Sequence, residues 1–89
     1  MITRQQLDEI AQLANARVIS ESVVQTLRDR YPDIHFTYCM DDDVMAASPV
    51  FENQAFNLYL IDSREHCLRF TQDMEIATGV VLAEIEDGQ

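Results

Sequence analysis

The residues with the richest potential chemistry are two cysteines and two histidines. Cys39 shares one side of a strand-like segment with His35, and Cys67 directly follows His66. Two thiolates and two imidazoles bind zinc when they converge tetrahedrally. The spacing opposes convergence, because there is no C-x-x-C or H-x-x-x-H pair and adjacent strand residues point to opposite faces. Since a disulfide would also need neighbouring strands, the sequence favours two free, partly buried thiols and no bound metal.

A run of three carboxylates, Asp41, Asp42 and Asp43, follows the first of these segments. Converging carboxylate oxygens bind Mg²⁺ or Ca²⁺. A calcium loop has the spacing D-x-D-x-D-G, which is absent here, and consecutive strand residues do not converge. We therefore interpret the run as a solvated strand end that also suits the start of a helical turn.

The sequence gives little support for catalysis. Asp62 and His66 flank a predicted turn, and such a pair is more often a weak surface ion pair than an acid–base dyad. No nucleophile elbow or glycine-rich phosphate loop is found, and the chain has two glycines in total. We therefore predict no catalytic residues, no cofactor and a protein without enzymatic activity.

A protein-binding surface is the better-supported kind of site. Asn57, Tyr59 and Arg69 fall on one face of two predicted strands and combine an amide, an aromatic ring and a guanidinium group. Tyrosine and arginine are enriched at the hot spots of protein interfaces. We predict that these three residues bind a protein partner.

The overall charge narrows the classes of partner. Six arginines and no lysine stand against sixteen acidic residues, which gives a formal net charge of −10. Because the arginines are scattered, phosphates would be repelled, and we predict no binding to nucleic acid or to anionic membranes. No apolar run reaches the ~18 residues of a membrane span, and no secretory signal pattern is present. We expect a cytoplasmic protein.

The elements that position these residues begin with two helices. Thr3 and Gln6 have the spacing of a capping box, and apolar residues recur at helical intervals, so we predict a helix over Arg4–Ala16. Ser20 suits the N-cap of a second helix, which Pro32 ends. The residues predicted to be buried on the two helices are Leu7, Ile10, Ala11, Ala14, Val23, Val24, Leu27 and Tyr31.

After the second helix the apolar period changes to two. This pattern predicts strands over Ile34–Met40, Phe56–Ile61 and His66–Phe70. The segment Val44–Ala55 has no clear period and is predicted to be a loop. The second and third strands should form a hairpin with an odd-length loop, in which Asp62 lies opposite His66 and Leu58 opposite Phe70, because that register keeps one face apolar.

The last part of the chain is predicted to form a helix and a strand. Thr71 can cap a helix over Gln72–Thr78, with Gly79 as a left-handed terminator. The strand Val80–Ile85 is apolar on both sides, so it is either central in the sheet or covered by a second copy in a homodimer. The order is α-α-β-β-β-α-β, which predicts one α+β domain over residues 1–89. Its helix pair should pack on a mainly antiparallel sheet of about three or four strands.

The strand region resembles a small family of uncharacterised proteobacterial proteins, a domain of unknown function often encoded near nitrogen-fixation genes. The resemblance rests on the segments Ile34–Asp43, Phe56–Asp62, His66–Leu68 and Ala77–Glu84. It implies an accessory role around metallocluster assembly or electron supply, and the family offers no established catalytic residues. The positions that it makes candidates are Cys39, Asp41, Asp42, Asp43, His66 and Cys67.

Two classes of function therefore remain. The first is a small acidic accessory or interaction protein without enzymatic activity. The second is a metal- or thiol-based redox or cluster-handling protein that uses Cys39 and Cys67.

Overall fold

The computed structural model describes residues 2–16, 20–44, 47–63 and 69–85. In these ranges the elements are α1 (Arg4–Asn15), α2 (Glu21–Arg30), β1 (His35–Met40), a 3-10 helix (Asp41–Asp43), β2 (Phe51–Glu52), β3 (Phe56–Asp62), β4 (Arg69–Thr71) and β5 (Gly79–Glu84). The predicted α+β class, with a helix pair followed by a sheet, is confirmed. No helix in the described ranges has the length and apolar character needed to cross a bilayer.

Local sequence signals set the two helices. The Thr3 hydroxyl accepts a hydrogen bond from the Gln6 N–H (3.0 Å), and the Gln6 side chain accepts one from the Thr3 N–H (2.9 Å), so the predicted capping box is confirmed. Helix α1 ends at Asn15, with Ala16 as its C-cap. Ser20 is the N-cap of α2, although its side chain makes no capping hydrogen bond. Both helices bury the predicted apolar residues against the sheet, except that Tyr31 is half-buried at the C-cap of α2.

The sheet is mixed, and β5 and β3 are its two interior strands. The strand order is β1-β5-β3-β2, and β4 also pairs with β3. Strand β1 runs parallel to β5, and the other pairings are antiparallel. The interior position of β5 explains why Val80, Val81, Leu82 and Ala83 are all buried. Of the two interpretations offered for this strand, the sheet position accounts for its apolar character without a second copy.

The sheet has an apolar cluster on each face. The helices cover the larger cluster, whose strand residues are Phe36, Phe56, Leu58, Leu60, Val80 and Leu82. The smaller cluster on the other face comprises Tyr59, Ile61, Val81 and Ala83, and the partly buried Cys39, Val44 and Ala47 pack against it. The chain therefore covers both faces of β3 and β5, whereas the sequence analysis assumed one buried face.

The predicted hairpin register is wrong. Phe70 lies opposite Ile61, and β4 begins at Arg69 among the described residues, so Phe70 does not face Leu58. The reason is the second apolar cluster, because the Phe70 ring packs edge-on against Tyr59 with centroids 5.7 Å apart. Asp62 pairs with Arg69 instead of the predicted His66, so an even number of residues separates the two paired positions. The predicted strand residues 66–68 lie outside the described residues.

The predicted helix over Gln72–Thr78 is replaced by a single turn. The Thr71 hydroxyl accepts from the Asp73 N–H (3.0 Å), and the Asp73 carbonyl accepts from the Ala77 N–H (3.1 Å). The turn does not extend, because the Thr78 N–H donates to the Ile61 carbonyl (2.9 Å) and draws the chain into the sheet.

Gly79 is not a left-handed helix terminator but the first residue of β5. It lies between His35 of β1 and Ile61 of β3. A Cβ atom there would lie 2.7 Å from the His35 carbonyl oxygen and 2.9 Å from the His35 Cβ. Glycine is therefore needed for close backbone approach.

The predicted loop Val44–Ala55 contains the short strand β2, which raises the strand count above the predicted three or four. The Asn53 side chain accepts hydrogen bonds from the N–H groups of Ala55 (2.7 Å) and Phe56 (2.8 Å). These bonds stabilise the turn that connects β2 to β3. Two strand residues are too few for a period of two to be visible in the sequence.

Candidate functional site

Two of the predicted partner-binding residues meet the aspartate run on the second face of the sheet. The Tyr59 hydroxyl donates to Asp41 Oδ1 (2.8 Å), and the Asn57 side chain donates to the same oxygen (3.0 Å). Alternation along β3 places Tyr59 and Asn57 on one face, and the 3-10 turn folds Asp41 back over them. This contact anchors the end of β1 to β3.

The surroundings of Tyr59 keep it in the role of a hydrogen-bond donor. Burial raises the pKa of the Tyr59 phenol, and the bond to the Asp41 carboxylate raises it further. Only 4% of Tyr59 is exposed, whereas Asn57 is half-buried and Arg69 lies exposed on β4. The predicted partner surface is thus partly covered by the chain itself, and partner binding by these three residues stays a prediction.

Cys39 is a free thiol, half-buried at the edge of the second cluster. Burial raises the pKa of the Cys39 thiol, and the negative charges of Asp43 and Asp41 raise it further. The reactive and metal-binding form of cysteine is the thiolate, which these surroundings disfavour. Cys39 is therefore suited to packing rather than to nucleophilic or metal chemistry.

The described candidates for metal binding do not form a site. His35 and Cys39 are four positions apart on β1, about 13 Å along an extended strand. Within residues 2–16, 20–44, 47–63 and 69–85, no group of three or more His, Cys, Asp or Glu residues is placed to hold a metal ion. His66 and Cys67 lie outside the described residues.

A site that the sequence analysis missed lies along the outer edge of β1. The His35 N–H donates to the Thr78 carbonyl (3.1 Å), so the odd-numbered residues of β1 direct their backbone groups at β5. In a parallel ladder the alternate residues then direct theirs away from the sheet. Arg28 confirms this geometry, because its Nη2 donates to the outward Phe36 carbonyl (3.0 Å).

Much of the remainder of this edge is open. In the part of the chain that the structure describes, no group is bonded to the outward N–H groups of Tyr38 and Met40 or to the outward C=O of Tyr38. The Met40 C=O is engaged, because Met40 is the N-cap of the 3-10 helix and its carbonyl accepts the first hydrogen bond of that helix. We call the two N–H groups and the Tyr38 C=O the open edge. It could not be found from the sequence alone, because the pairing of β1 with β5 decides which residues point outward.

Side-chain contacts hold the open edge in place. The Tyr38 hydroxyl bonds to the carboxylate of Glu84 on β5 and also contacts the Met40 sulfur (3.8 Å). The hydrogen bond to Glu84, with burial as the second cause, raises the pKa of Tyr38 to about 12. The phenol is therefore protonated at neutral pH and ties the edge strand to β5.

Charge is distributed unevenly along the edge. Arg28 supplies a positive group at the Phe36 end. The carboxylates associated with the other end are Glu21, Asp41, Asp42, Asp43 and Glu84. The edge thus has a positive end and a negative end, with the negative charges more numerous.

One surface depression of the described residues is open and shallow and lies away from β1. It has a volume of about 300 Å³ and is lined by Ala47, Ser48, Phe70, Thr71 and Gln72. Its Phe70 is the exposed large apolar side chain of the described residues, with 47% of its surface accessible. Small-molecule sites are enclosed, mostly apolar pockets, and this depression has neither property.

The fold and the edge define a small α+β protein with a mixed sheet, one edge strand of which is largely unpaired. The model of a family of unknown function, DUF6129, matches residues 8–85, and the chain belongs to this family. The expected resemblance to a domain of unknown function is confirmed at that level, whereas the match says nothing of source organisms or neighbouring genes. No curated protein and no solved structure matches the chain.

Proposed function

We propose that this protein is a small non-enzymatic interaction module that binds an extended segment of a partner protein along the open edge of β1. The observation that carries the proposal is the set of outward groups that no described group pairs with, which are the N–H groups of Tyr38 and Met40 and the C=O of Tyr38. An edge strand with unpaired N–H and C=O groups is a template for strand addition.

The open edge is held in place by neighbouring elements, which favours binding. Strand β1 pairs over six residues with β5, and Arg28 fixes it to α2. A template that is already ordered lowers the entropy cost of binding. The opposite edge of the sheet differs, because β2 and β4 pair with successive parts of β3.

The residues that could do chemistry have other roles in the described structure, which supports a function without catalysis. Asp41 accepts two hydrogen bonds that hold the fold together. Cys39 is a packed thiol with a raised pKa. His35 is exposed, and among the described residues it is not part of any cluster of His, Cys, Asp or Glu that could hold a metal ion.

The wider setting of the proposal rests on the resemblance alone. It makes a partner in metallocluster assembly or electron supply, in the cytoplasm, our first candidate. The thiol-based alternative rests on the free thiol of Cys39 together with Cys67. Native mass spectrometry of anaerobically prepared protein tests it, because a bound metal or cluster adds mass.

A substitution at Met40 tests the role of the open edge. Met40 has φ −84° and ψ 145°, close to the angles of proline. Met40→Pro removes one outward N–H and leaves the ladder to β5 intact, because that N–H does not take part in it. Met40→Leu is the matched control, since it changes the side chain and keeps the N–H.

The measurement is affinity capture from the source cells with the wild type and both variants, each checked for folding by circular dichroism. We expect a specific partner to be retained by the wild type and Met40→Leu and lost by folded Met40→Pro. Retention of the same partner by all three proteins would contradict the proposal.

A further inference from the structure

We infer that the segment that adds to β1 is a short, extended and basic one, whose lysine or arginine residues lie beside Asp41–Asp43. This inference rests on the proposed function and specifies the chemistry of its partner. It draws on the charge distribution along the edge, which the proposal did not use, and on the place that Arg28 occupies at one end of it.

The Arg28 contact limits the length of the segment. Its guanidinium group occupies the outward Phe36 carbonyl, and the open edge lies beyond that contact at Tyr38 and Met40. The open edge offers two N–H donors and one C=O acceptor, and a partner of about three to five residues satisfies them. So few main-chain bonds support only weak binding, which leaves side-chain charge to determine which segment binds.

The charge distribution determines the composition of the segment. The run Asp41–Asp43 directly follows Met40, and Glu84 is in register with Met40 on β5. Asp42 and Asp43 are exposed and accessible to a partner. Lysine or arginine beside them gains attraction, whereas an acidic segment meets like charges. At the other end Arg28 repels a cation, so the basic residues belong beside the aspartates.

A second copy of this chain suits the edge less well. In an antiparallel pair with Tyr38 on the two-fold axis, the Met40 N–H of one copy would have to donate to the Phe36 carbonyl of the other. Arg28 already occupies that oxygen. Each copy also carries a net charge of −10, so association must overcome repulsion. A basic segment of another protein meets neither obstacle.

The test uses three synthetic peptides with the same alternating Val and Thr core. One ends in a run of lysines, one ends in a run of glutamates, and one has a neutral end. Nuclear magnetic resonance of the full chain follows chemical shifts and hydrogen exchange of the Tyr38 and Met40 amides. We expect the lysine peptide to bind and to protect these amides, and binding to weaken with added salt.

Charge variants show whether the aspartates select the peptide. Asp42→Asn together with Asp43→Asn should weaken binding of the lysine peptide about tenfold, from the loss of two exposed ion pairs. The control is Asp8→Asn together with Glu52→Gln, which makes the same change in net charge at α1 and at β2 on the opposite edge. The control should bind as the wild type does.

The outcomes separate the inference from the proposed function. The inference of a basic segment is wrong if the neutral or glutamate peptide protects the β1 amides as well as the lysine peptide does. It is also wrong if protection grows with protein concentration alone. In both cases the open edge remains a binding site. Failure of every peptide to protect these amides, together with partner capture unaffected by Met40→Pro, overturns both. Binding of the lysine peptide equally by the aspartate variant and its control also overturns the inference.

Discussion

Replacement of Gly79 by alanine should destabilise the protein, because the glycine permits the close approach of three strands. The added Cβ would lie 2.7 Å from the His35 carbonyl oxygen, 2.9 Å from the His35 Cβ and 3.1 Å from the Ile61 Cδ1. The first distance is 0.7 Å shorter than the lower limit of ordinary contact, 3.4 Å. Since that neighbour is a backbone atom, no side-chain rotation relieves the overlap.

The size of the effect follows from two opposing terms. A methyl group forced into a packed site typically costs about 1–3 kcal/mol, because the backbone must shift. Alanine in place of glycine recovers about 0.4–1 kcal/mol by restricting the unfolded chain. The free energy of unfolding should therefore fall by about 1–2 kcal/mol, which lowers the melting temperature by roughly 5–15 °C in a domain of this size.

Urea denaturation monitored by circular dichroism measures this effect. The midpoint should fall with the slope unchanged, which indicates that stability and not the unfolded state has altered. Thr37→Val is the control, since it alters an exposed side chain on the neighbouring strand and should change stability by less than ~0.5 kcal/mol. A Gly79→Ala midpoint equal to that of the wild type would refute the assignment of Gly79 to a tight strand contact.

Three further substitutions test the contacts of the fold. Tyr59→Phe should lower the unfolding free energy by about 1.5–3 kcal/mol, because it removes a hydrogen bond to the Asp41 carboxylate. Tyr31→Phe, at a more exposed phenol, is the control and should cost less. Equal losses in urea denaturation would be evidence against the role of the Tyr59–Asp41 bond. The Tyr38–Glu84 bond contributes to the free energy of unfolding at neutral pH and up to about pH 10, the ordinary pKa of tyrosine. Its contribution is lost as pH rises towards the folded pKa of about 12. Between about pH 10 and 12 the wild type should therefore lose more stability than Tyr38→Phe. Parallel pH curves would contradict that role. Thr3→Ala should cost about 1 kcal/mol by removing the capping box, and an unchanged thermal midpoint would argue against it.

Sequence reasoning succeeded where local signals decide the structure. The Thr3–Gln6 capping box and the helical spacing of apolar residues predicted α1 within one residue. The change of period after Pro32 predicted β1, and alternating apolar residues predicted β3. In each of these segments the local preference and the tertiary packing agree, so the prediction needed no knowledge of distant contacts.

It failed where two local signals competed or where the second sheet face mattered. Thr71 was expected to cap a helix, yet its hydroxyl caps only a turn before Thr78 joins the sheet. Phe70 was assigned to the main core, yet it packs on Tyr59 across the second face. The sequence pattern shows that a residue is apolar, but it does not show on which of the two buried sheet faces the residue packs.

The candidate site was the least predictable part. The acidic run does follow the end of β1, as predicted, but the aspartates form the 3-10 turn themselves, and Asp41 is half-buried rather than solvated. The bonds from Tyr59 and Asn57 to Asp41 connect separate segments and had no local signal. The open edge of β1 depends on its parallel pairing with β5, which is a property of topology rather than of composition.

The interior position of β5 has a consequence for the order of events during synthesis. Strand β3 can pair with β2 and β4 beforehand, whereas β1 pairs, among the described strands, only with β5, the last of the described elements to leave the ribosome. The Tyr38–Glu84 contact closes a separation of 46 residues. Chains with such distant contacts fold slowly, and their incomplete sheets are prone to association. Until β5 arrives, the excess of acidic residues opposes association between incomplete chains.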